Sequence, residues 1–271
     1  MSRYLEVAIE AAREGGRILR EEFARPAQVS YKGDVDLVTQ ADKRSEEAVV
    51  RKLRREFPGH AIVAEEGSGS ESNSPFRWHV DPLDGTTNFA HKFPAFAVSI
   101  GLEEAGELVA GVVLNPCNNE LFSAARGEGA HLNGQPIHVS QADRLAVSLL
   151  GTGFPTHKRM QNPNIHFYWQ FTLASHGVRR VGAAALDLCM VACGRLDGFW
   201  EFGLKSWDTA AGALLVREAG GRVTDFEGGP FKPGDYVCVA SNGEIHEEMQ
   251  QMAARITAAG PDLKPLPKTS L

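Results

Sequence analysis

The stretch Asp81-Pro82-Leu83-Asp84-Gly85-Thr86-Thr87-Asn88 decides how the rest of the chain is read. Residues 77–80 before it read as a strand that runs straight into Asp81. Asp81 therefore falls at a strand end, where a rigid element presents a side chain to an open loop. Two acids three residues apart, with a proline between them, can point at one place, and the turn at Pro82 can expose the Leu83 carbonyl. Together they offer three oxygen ligands to a hard cation such as Mg²⁺. Gly85-Thr86 adds backbone N–H groups at a predicted helix start, where phosphate oxygens bind well. Asp-Pro and Asp-Gly are also common turn sequences, so it is the full octet, with its hydroxyl pair and Asn88, that points beyond a plain loop. Phosphatases with an aspartate nucleophile use Asp-x-Asp-Gly-Thr. Here the two acids stand one residue further apart, and strand alternation does not put Asp84 where that mechanism needs its second acid. A phospho-aspartate route is disfavoured.

Upstream of the octet, Leu5, Ala8, Ile9, Ala12, Gly16, Leu19 and Phe23 recur at three- and four-residue steps and predict a helix closed by Pro26. A short strand is predicted at 29–31. Thr39-Gln40-Ala41-Asp42 has the form of a capping box and opens a second helix through Ala48, Val49, Leu53 and Phe57. Residues 61–64 read as a buried strand running into Glu65-Glu66. Downstream, 97–102 and 108–114 form a hairpin, with further turn signals at Gly127-Glu128-Gly129 and Asn133-Gly134. The second half alternates, with strands at 147–150, 177–181, 198–201 and 236–240 and helices at 165–174, 183–193, 207–219 and 244–258. Mixed hairpins and helices predict a layered α/β (α+β) sandwich. Two closely joined halves are expected, 1–142 and 143–260, followed by a loose, disordered tail at 261–271.

The chain has 271 residues and a formal net charge of -6 without a long basic run, so direct nucleic-acid binding by phosphate neutralisation is disfavoured. An acidic protein acting on an anion needs local positive charge, and a bound cation can supply it. The cysteines Cys117, Cys189, Cys193 and Cys238 form no CxxC pair and read as reduced, buried thiols. The N-terminus lacks a signal-peptide core, and the apolar run at 181–193 is broken by Asp187 and too short to span a bilayer. A cytoplasmic protein is expected, with no membrane association.

The octet resembles the signature of the inositol monophosphatase family, and other segments agree in the same order. Residues 32–42, containing Asp36-Leu37-Val38-Thr39, resemble that family's mobile loop and helix start. Ala64-Glu65-Glu66 resembles its strand-end glutamate motif. Gly182-Ala183-Ala184-Ala185-Leu186-Asp187 and Glu201 resemble its substrate-contact regions, and Trp207-Asp208-Thr209-Ala210-Ala211-Gly212 its second signature. The resemblance covers nearly the whole chain. It implies the αβαβα order of the sugar-phosphatase type of fold and Mg²⁺-dependent, lithium-sensitive hydrolysis of inositol monophosphate by a homodimer. Residue by residue, it implies that Glu65, Asp81 and the Leu83 carbonyl hold one Mg²⁺ and that Asp81, Asp84 and Asp208 hold a second, with a looser third near Glu65. Gly85 and Thr86 would bind phosphate. Thr86 and Asp42 would orient or deprotonate the attacking water, supported by Glu66. Asp84, Ala184 and Glu201 would recognise substrate hydroxyls, and Lys32 would lie on the loop that closes near the metals. Two Mg²⁺ ions ~3.5–4 Å apart can clamp both oxygens of an in-line displacement.

Each acid also has a purely structural explanation. Asp42 could be only a capping-box acid, Asp208 a complement to a helix dipole, Glu65-Glu66 a solvated strand end and Glu201 a surface group. The histidines, among them His79, His91, His157 and His166, show no metal spacing and read as structural or surface groups. Trp207 reads as a packing anchor. Arg179-Arg180 suits either a partner contact or a solvated strand edge. Ala183 stands where the family often has a hydroxyl residue, which bears on substrate identity. Fructose-1,6-bisphosphatase, histidinol-phosphate phosphatase and nucleotide 3'-phosphatase share the expected fold and metals, and a binding role in RNA-polymerase-associated complexes is a reading of a different class.

Overall fold

The computed structural model describes residues 2–25, 29–31, 37–154 and 163–259. Helix α1 (Arg3–Phe23) starts at Ser2, whose Oγ accepts from the Leu5 N–H, and buries the apolar stripe expected from its spacing. Strands β1 (Val29–Tyr31) and β2 (Leu37–Thr39) pair antiparallel. Helix α2 (Gln40–Glu56) opens on the predicted capping box: Thr39 Oγ1 accepts from Ala41 N, and Asp42 Oδ2 accepts from Thr39 N at 2.7 Å. Lys32 and His157 lie outside the described residues, as does the tail at 261–271.

A seven-stranded sheet follows in the order β3 (Ala61–Ala64), β4 (Phe76–Asp84), β5 (Ala97–Glu104), β6 (Glu107–Asn115), β7 (Glu120–Ala125), β8 (Ala130–Leu132) and β9 (Gln135–Ile137). Only β3 and β4 run parallel. The short helix α3 (Thr86–Ala90) leaves the end of β4. The remaining strands, β10 (Leu149–Thr152), β11 (Gly177–Arg179), β12 (Gly198–Phe202), β13 (Arg222–Thr224) and β14 (Val237–Ser241), form a second sheet in the order β11-β10-β12-β14-β13. Between them run α4 (Asn164–Ala174), α5 (Ala184–Ala192) and α6 (Ser206–Glu218), and α7 (His246–Ala259) closes the chain.

Three apolar clusters divide these elements into five layers. Leu19, Val49 and Leu53 of α1 and α2 pack on Trp78, Val80, Ile100 and Val112 of the first sheet. Its other face, with Val113 and Phe122, meets Leu188 and Leu215 of α5 and α6, and these meet Phe199 and Cys238 of the second sheet. Phe171 and Met249 of α4 and α7 cover that sheet's far side against Trp200 and Val239. The result is the expected αβαβα sandwich.

Strand alternation then aims the site. Trp78 and Val80 face α1 and α2, so the period of two turns Asp81 toward the middle helices. On β12, Trp200 and Phe202 face outward, and Glu201 shares the inner face with Phe199. Helix α6 can approach because Gly101 and Gly111 are partners across β5 and β6. A Cβ at Gly101 would lie 2.6 Å from Ala210 Cβ, and one at Gly111 2.9 Å from the Ala211 carbonyl oxygen. Ser99 Oγ also donates to the Trp207 carbonyl at 3.1 Å, fixing the start of α6 on the sheet.

The structure departs from the sequence reading in places. Strands β2, β7, β8, β9 and β13 are additional. Ser123-Ala124-Ala125 lacks alternation, and three-residue strands are too short to show a period. Strand β10 starts at Leu149 because a 3₁₀ turn, Leu145–Val147, takes up the first residue assigned to it. The four cysteines are free, but only Cys189 and Cys238 are buried. Cys193 caps the end of α5 and, like Cys117, is half-buried. His79 is buried in β4 and His246 is held between Thr224 and Ser241, whereas His91 is exposed. No helix among the described residues is long and apolar enough to cross a membrane.

The close approach of α6 gives a first test. Gly101→Val should lower unfolding free energy by about 1–3 kcal/mol or more, because the new side chain must displace Ala210. Urea titration reads this directly, and wild-type stability would show that α6 is not held against the sheet there.

Candidate active site

The octet folds as a tight corner. Asp81 Oδ1 accepts from Leu83 N at 3.0 Å, which bends the chain at Pro82. Gly85 follows with φ 91°, a left-handed conformation that a side chain would strain. Thr86 Oγ1 stands 3.1 Å from both the Leu83 carbonyl oxygen and Asp42 Oδ1. One hydroxyl proton serves one of these acceptors at a time, and the oxygen keeps lone pairs for another donor. The second oxygen of Asp42 is held by Thr39, through N at 2.7 Å and Oγ1 at 2.5 Å. Asp42 is thus both the capping acid and the partner of Thr86, with one oxygen for each task.

Around this corner acids arrive from three other places. Glu65 follows β3, and its backbone N–H donates to the Val80 carbonyl at 3.2 Å. Glu65, Asp84 and Asp208 all lie close enough to Asp81 for their charges to act on its carboxyl. Asp208 lies in the first turn of α6, where its Oδ2 accepts from Lys205 N at 2.7 Å. Asp84 Oδ2 accepts from Ala185 N at 2.7 Å, and the neighbouring amides of Ala184 and Leu186 also favour its charged form. Asp84 therefore caps the start of α5, a favourable place for negative charge. Glu201 is buried on β12, close against Gly153. Glu66 directly follows Glu65 and is half-buried.

Crowding and burial push these groups the same way. Burial, then the field of Asp208, raises Asp84 to about 7, against the pull of the N–H groups of Ala185, Ala184 and Leu186. Burial raises Asp208 to about 6. Burial and then Asp208 raise Glu201 to about 8, opposed by Arg180. Asp81 goes well above the usual carboxylate range through burial, then Glu65, Asp84 and Asp208. Asp42 is raised by burial despite its hydrogen bonds.

This donor set fits a hard divalent cation. It is all oxygen, it is mutually repulsive, and a cation would displace the protons its carboxylates hold. Among the described residues, no three acidic, histidine or cysteine side chains converge tightly enough to cage an ion by themselves. Mg²⁺ suits such an open arrangement, because it keeps several waters and shares the oxygens of a substrate phosphate.

The model of the inositol monophosphatase family matches residues 1–259. The chain belongs to this family. An inositol-1-monophosphatase from Mesorhizobium japonicum is 44% identical over 92% of the chain and 95% of its own length. A protein from Pseudomonas aeruginosa named Nus factor SuhB is 46% identical over 84% of the chain and 87% of its own. Among solved structures, the inositol monophosphatase from Anabaena superposes with a TM-score of 0.85, at 42% identity over 93% of this chain and 95% of that one. The chain is therefore a phosphatase, a phosphoric monoester hydrolase that acts on a phosphorylated substrate, of a metal-dependent family.

Glu46 escaped the sequence reading, as did the surroundings that the fold gives Asn88, Asp187 and Arg180. Glu46 is buried on α2 and accepts from Glu66 N at 2.6 Å and Ser68 N at 2.9 Å. Its signal was its place one turn after Asp42. Asn88 Nδ2 donates to the carbonyls of Ala95 (2.7 Å) and Val181 (2.9 Å), tying the octet to the approach of α5. Asp187 is fully buried, neither of its oxygens has a hydrogen-bond partner among the described residues, and burial holds it well above the usual range. Arg180 is exposed beyond the edge strand β11, and its charge acts on Glu201 and Asp187.

Because the folded-state values of Asp208, Asp84 and Glu201 are raised, the folded protein binds protons that the unfolded chain releases. Their contribution to stability is full below the ordinary carboxylate range and is lost as pH rises through about 6, 7 and 8. In EDTA, the melting temperature should fall between pH 5 and 8.5, and Mg²⁺ should raise it far more at the alkaline end. A flat profile in EDTA would contradict the burial of these acids.

Proposed function

We propose that the chain hydrolyses inositol monophosphate to inositol and phosphate with two or three Mg²⁺ ions. The observation that carries this reading is the Thr86 hydroxyl, set between Asp42 and the Leu83 carbonyl, in an octet whose Asp81 feels the charges of Glu65, Asp84 and Asp208. Glu65, Asp81 and the Leu83 carbonyl would hold one ion, Asp81, Asp84 and Asp208 a second, and Glu65 would border a looser third. When bound, Mg²⁺ supplies charge neutralisation for the phosphate and acidifies water. The protein groups do the rest. The N–H groups of Gly85 and Thr86 orient the phosphate. Thr86 Oγ1 accepts a hydrogen bond from the attacking water and donates to Asp42. Asp42, raised by burial, is a better proton acceptor near neutral pH than an exposed aspartate. Glu66 supports this pair. Glu201, Asp84 and the turn at Ala184 receive the hydroxyl groups of the ring, since carboxylates accept such bonds in pairs. Ala183, lacking a hydroxyl, adds none. Lys32 would belong to the loop that closes near the metals.

The transition state is loose, so positioning and charge compensation account for most of the acceleration. We read the working unit as a homodimer, which the resemblance to the family implies.

A panel of inositol monophosphate, histidinol phosphate, fructose 1,6-bisphosphate and nucleotide 3'-phosphate, assayed with Mg²⁺, tests the substrate. Inositol monophosphate should give the highest kcat/KM, and a clear preference for histidinol phosphate would overturn the assignment. Asp84→Asn or Asp208→Asn should lower kcat/KM by on the order of 10²-fold or more with the fold retained. Thr86→Ala should cut kcat by about 10²-fold or more while leaving Mg²⁺ affinity within a few-fold. Equal loss of both would remove its role with water.

The relative named Nus factor SuhB favours a second reading, a regulatory binding role in RNA-polymerase-associated complexes. Asp84→Asn separates the two in cells. A binding role survives the substitution, whereas a purely enzymatic role is lost with activity.

A further inference from the structure

Helix α2 carries three polar side chains, Asp42, Ser45 and Glu46, that are 0%, 0% and 2% exposed. They occupy positions i, i+3 and i+4 and so share one face of the helix. Polar groups buried at this depth are costly unless bonded. Each of the three is bonded, and each to a different piece of the site. Asp42 receives Thr86. Ser45 Oγ donates to the Pro82 carbonyl at 2.9 Å, within the octet. Glu46 takes Glu66 N on Oε2 and Ser68 N on Oε1. The intervening Gly67 has φ 91°, a backbone reversal that turns two nearby N–H groups toward one anion. The carboxylate of Glu46 fills that concavity.

We propose that Glu46 is a positioning residue that sets the affinity of the site for its divalent cation. It fixes the peptide that follows Glu65 and so the direction in which that side chain leaves the end of β3. Through Ser45 and Asp42, the same rigid helix face registers the octet against the Glu65 loop. The metal centre is thereby held in one geometry by an element that contributes none of its proposed ligands. This inference rests on the reading of Glu65 and Asp81 as metal ligands.

The test titrates Mg²⁺ alone into substrate-free protein by calorimetry, for wild type, Glu46→Ala, Glu46→Gln and Glu65→Gln. Glu46→Ala should bind Mg²⁺ about 10–100-fold more weakly, the usual effect of losing a group that orients a ligand. Its kcat should return to within a few-fold of wild type once Mg²⁺ is saturating. A merely structural role would instead depress kcat at every Mg²⁺ concentration and leave affinity unchanged. Glu46→Gln keeps the volume and one acceptor oxygen but turns an NH₂ group toward the other amide. It should fall between wild type and alanine, and it decides the matter if the alanine variant does not fold. Wild-type Mg²⁺ affinity in Glu46→Gln would overturn the proposal. If Glu65→Gln weakens binding and the Glu46 variants do not, the Glu46 role alone fails. If Glu65→Gln also binds as wild type, the metal-centre reading fails first.

Discussion

The constraint on which the rest of this structure depends is repulsion among carboxylates brought together where water is scarce. Asp81, Asp84 and Glu201 are buried, and the charges of Glu65 and Asp208 act on Asp81. Such groups stay in the fold only if they keep protons, receive N–H donors or are neutralised by a cation. All three devices have a place here. Asp84 takes the amides at the start of α5, and Asp208 takes Lys205 N. Asp81 is pushed to keep its proton by burial and by the charges of Glu65, Asp84 and Asp208. What these leave uncompensated is a pocket that attracts a hard cation and, through it, a phosphate.

Holding the acids there is the work of rigid elements packed from both sides. The two sheets face a common middle layer and send Asp81 and Glu201 into it from opposite directions. Gly101 and Gly111 let α6 press on the first sheet until Asp208 reaches Asp81. Gly212 on α6 faces Leu188 in turn, bringing α5 and its amides alongside. A side chain at any of these glycines separates layers whose spacing sets the distances between acids. The stability of the middle layer and the chemistry of the site are thus one problem in packing.

Much of this was legible in the sequence. Periodicity in α1, the capping box of α2 and the acids after β3 and β4 each carry a local signal, and the order of the motifs pointed to the family. What stayed hidden depends on contacts between distant segments. Asp42 looks like a capping acid because it is one, and only the fold brings Thr86 to its other oxygen. Glu46 is one more charged residue in Ser45-Glu46-Glu47 until the Glu65 loop closes over it. Asp187 sits in an apolar helix with nothing in its neighbours to foretell an unpartnered carboxyl beside Glu201 and Asp84. The three-residue strands β8 and β9 were lost for the opposite reason, having too few residues to express a period.

The most direct measurement is the proton count on Mg²⁺ binding, obtained by titrating the substrate-free protein at pH 7 in two buffers of different ionisation enthalpy. With Asp84 near 7, Glu201 near 8 and Asp81 well above its ordinary value, the pocket enters the titration partly protonated. Saturable binding should release protons, fewer at pH 8.5 than at pH 7. Binding with no proton release at either pH, or no saturable binding at all, would contradict a buried carboxylate pocket built to receive a cation.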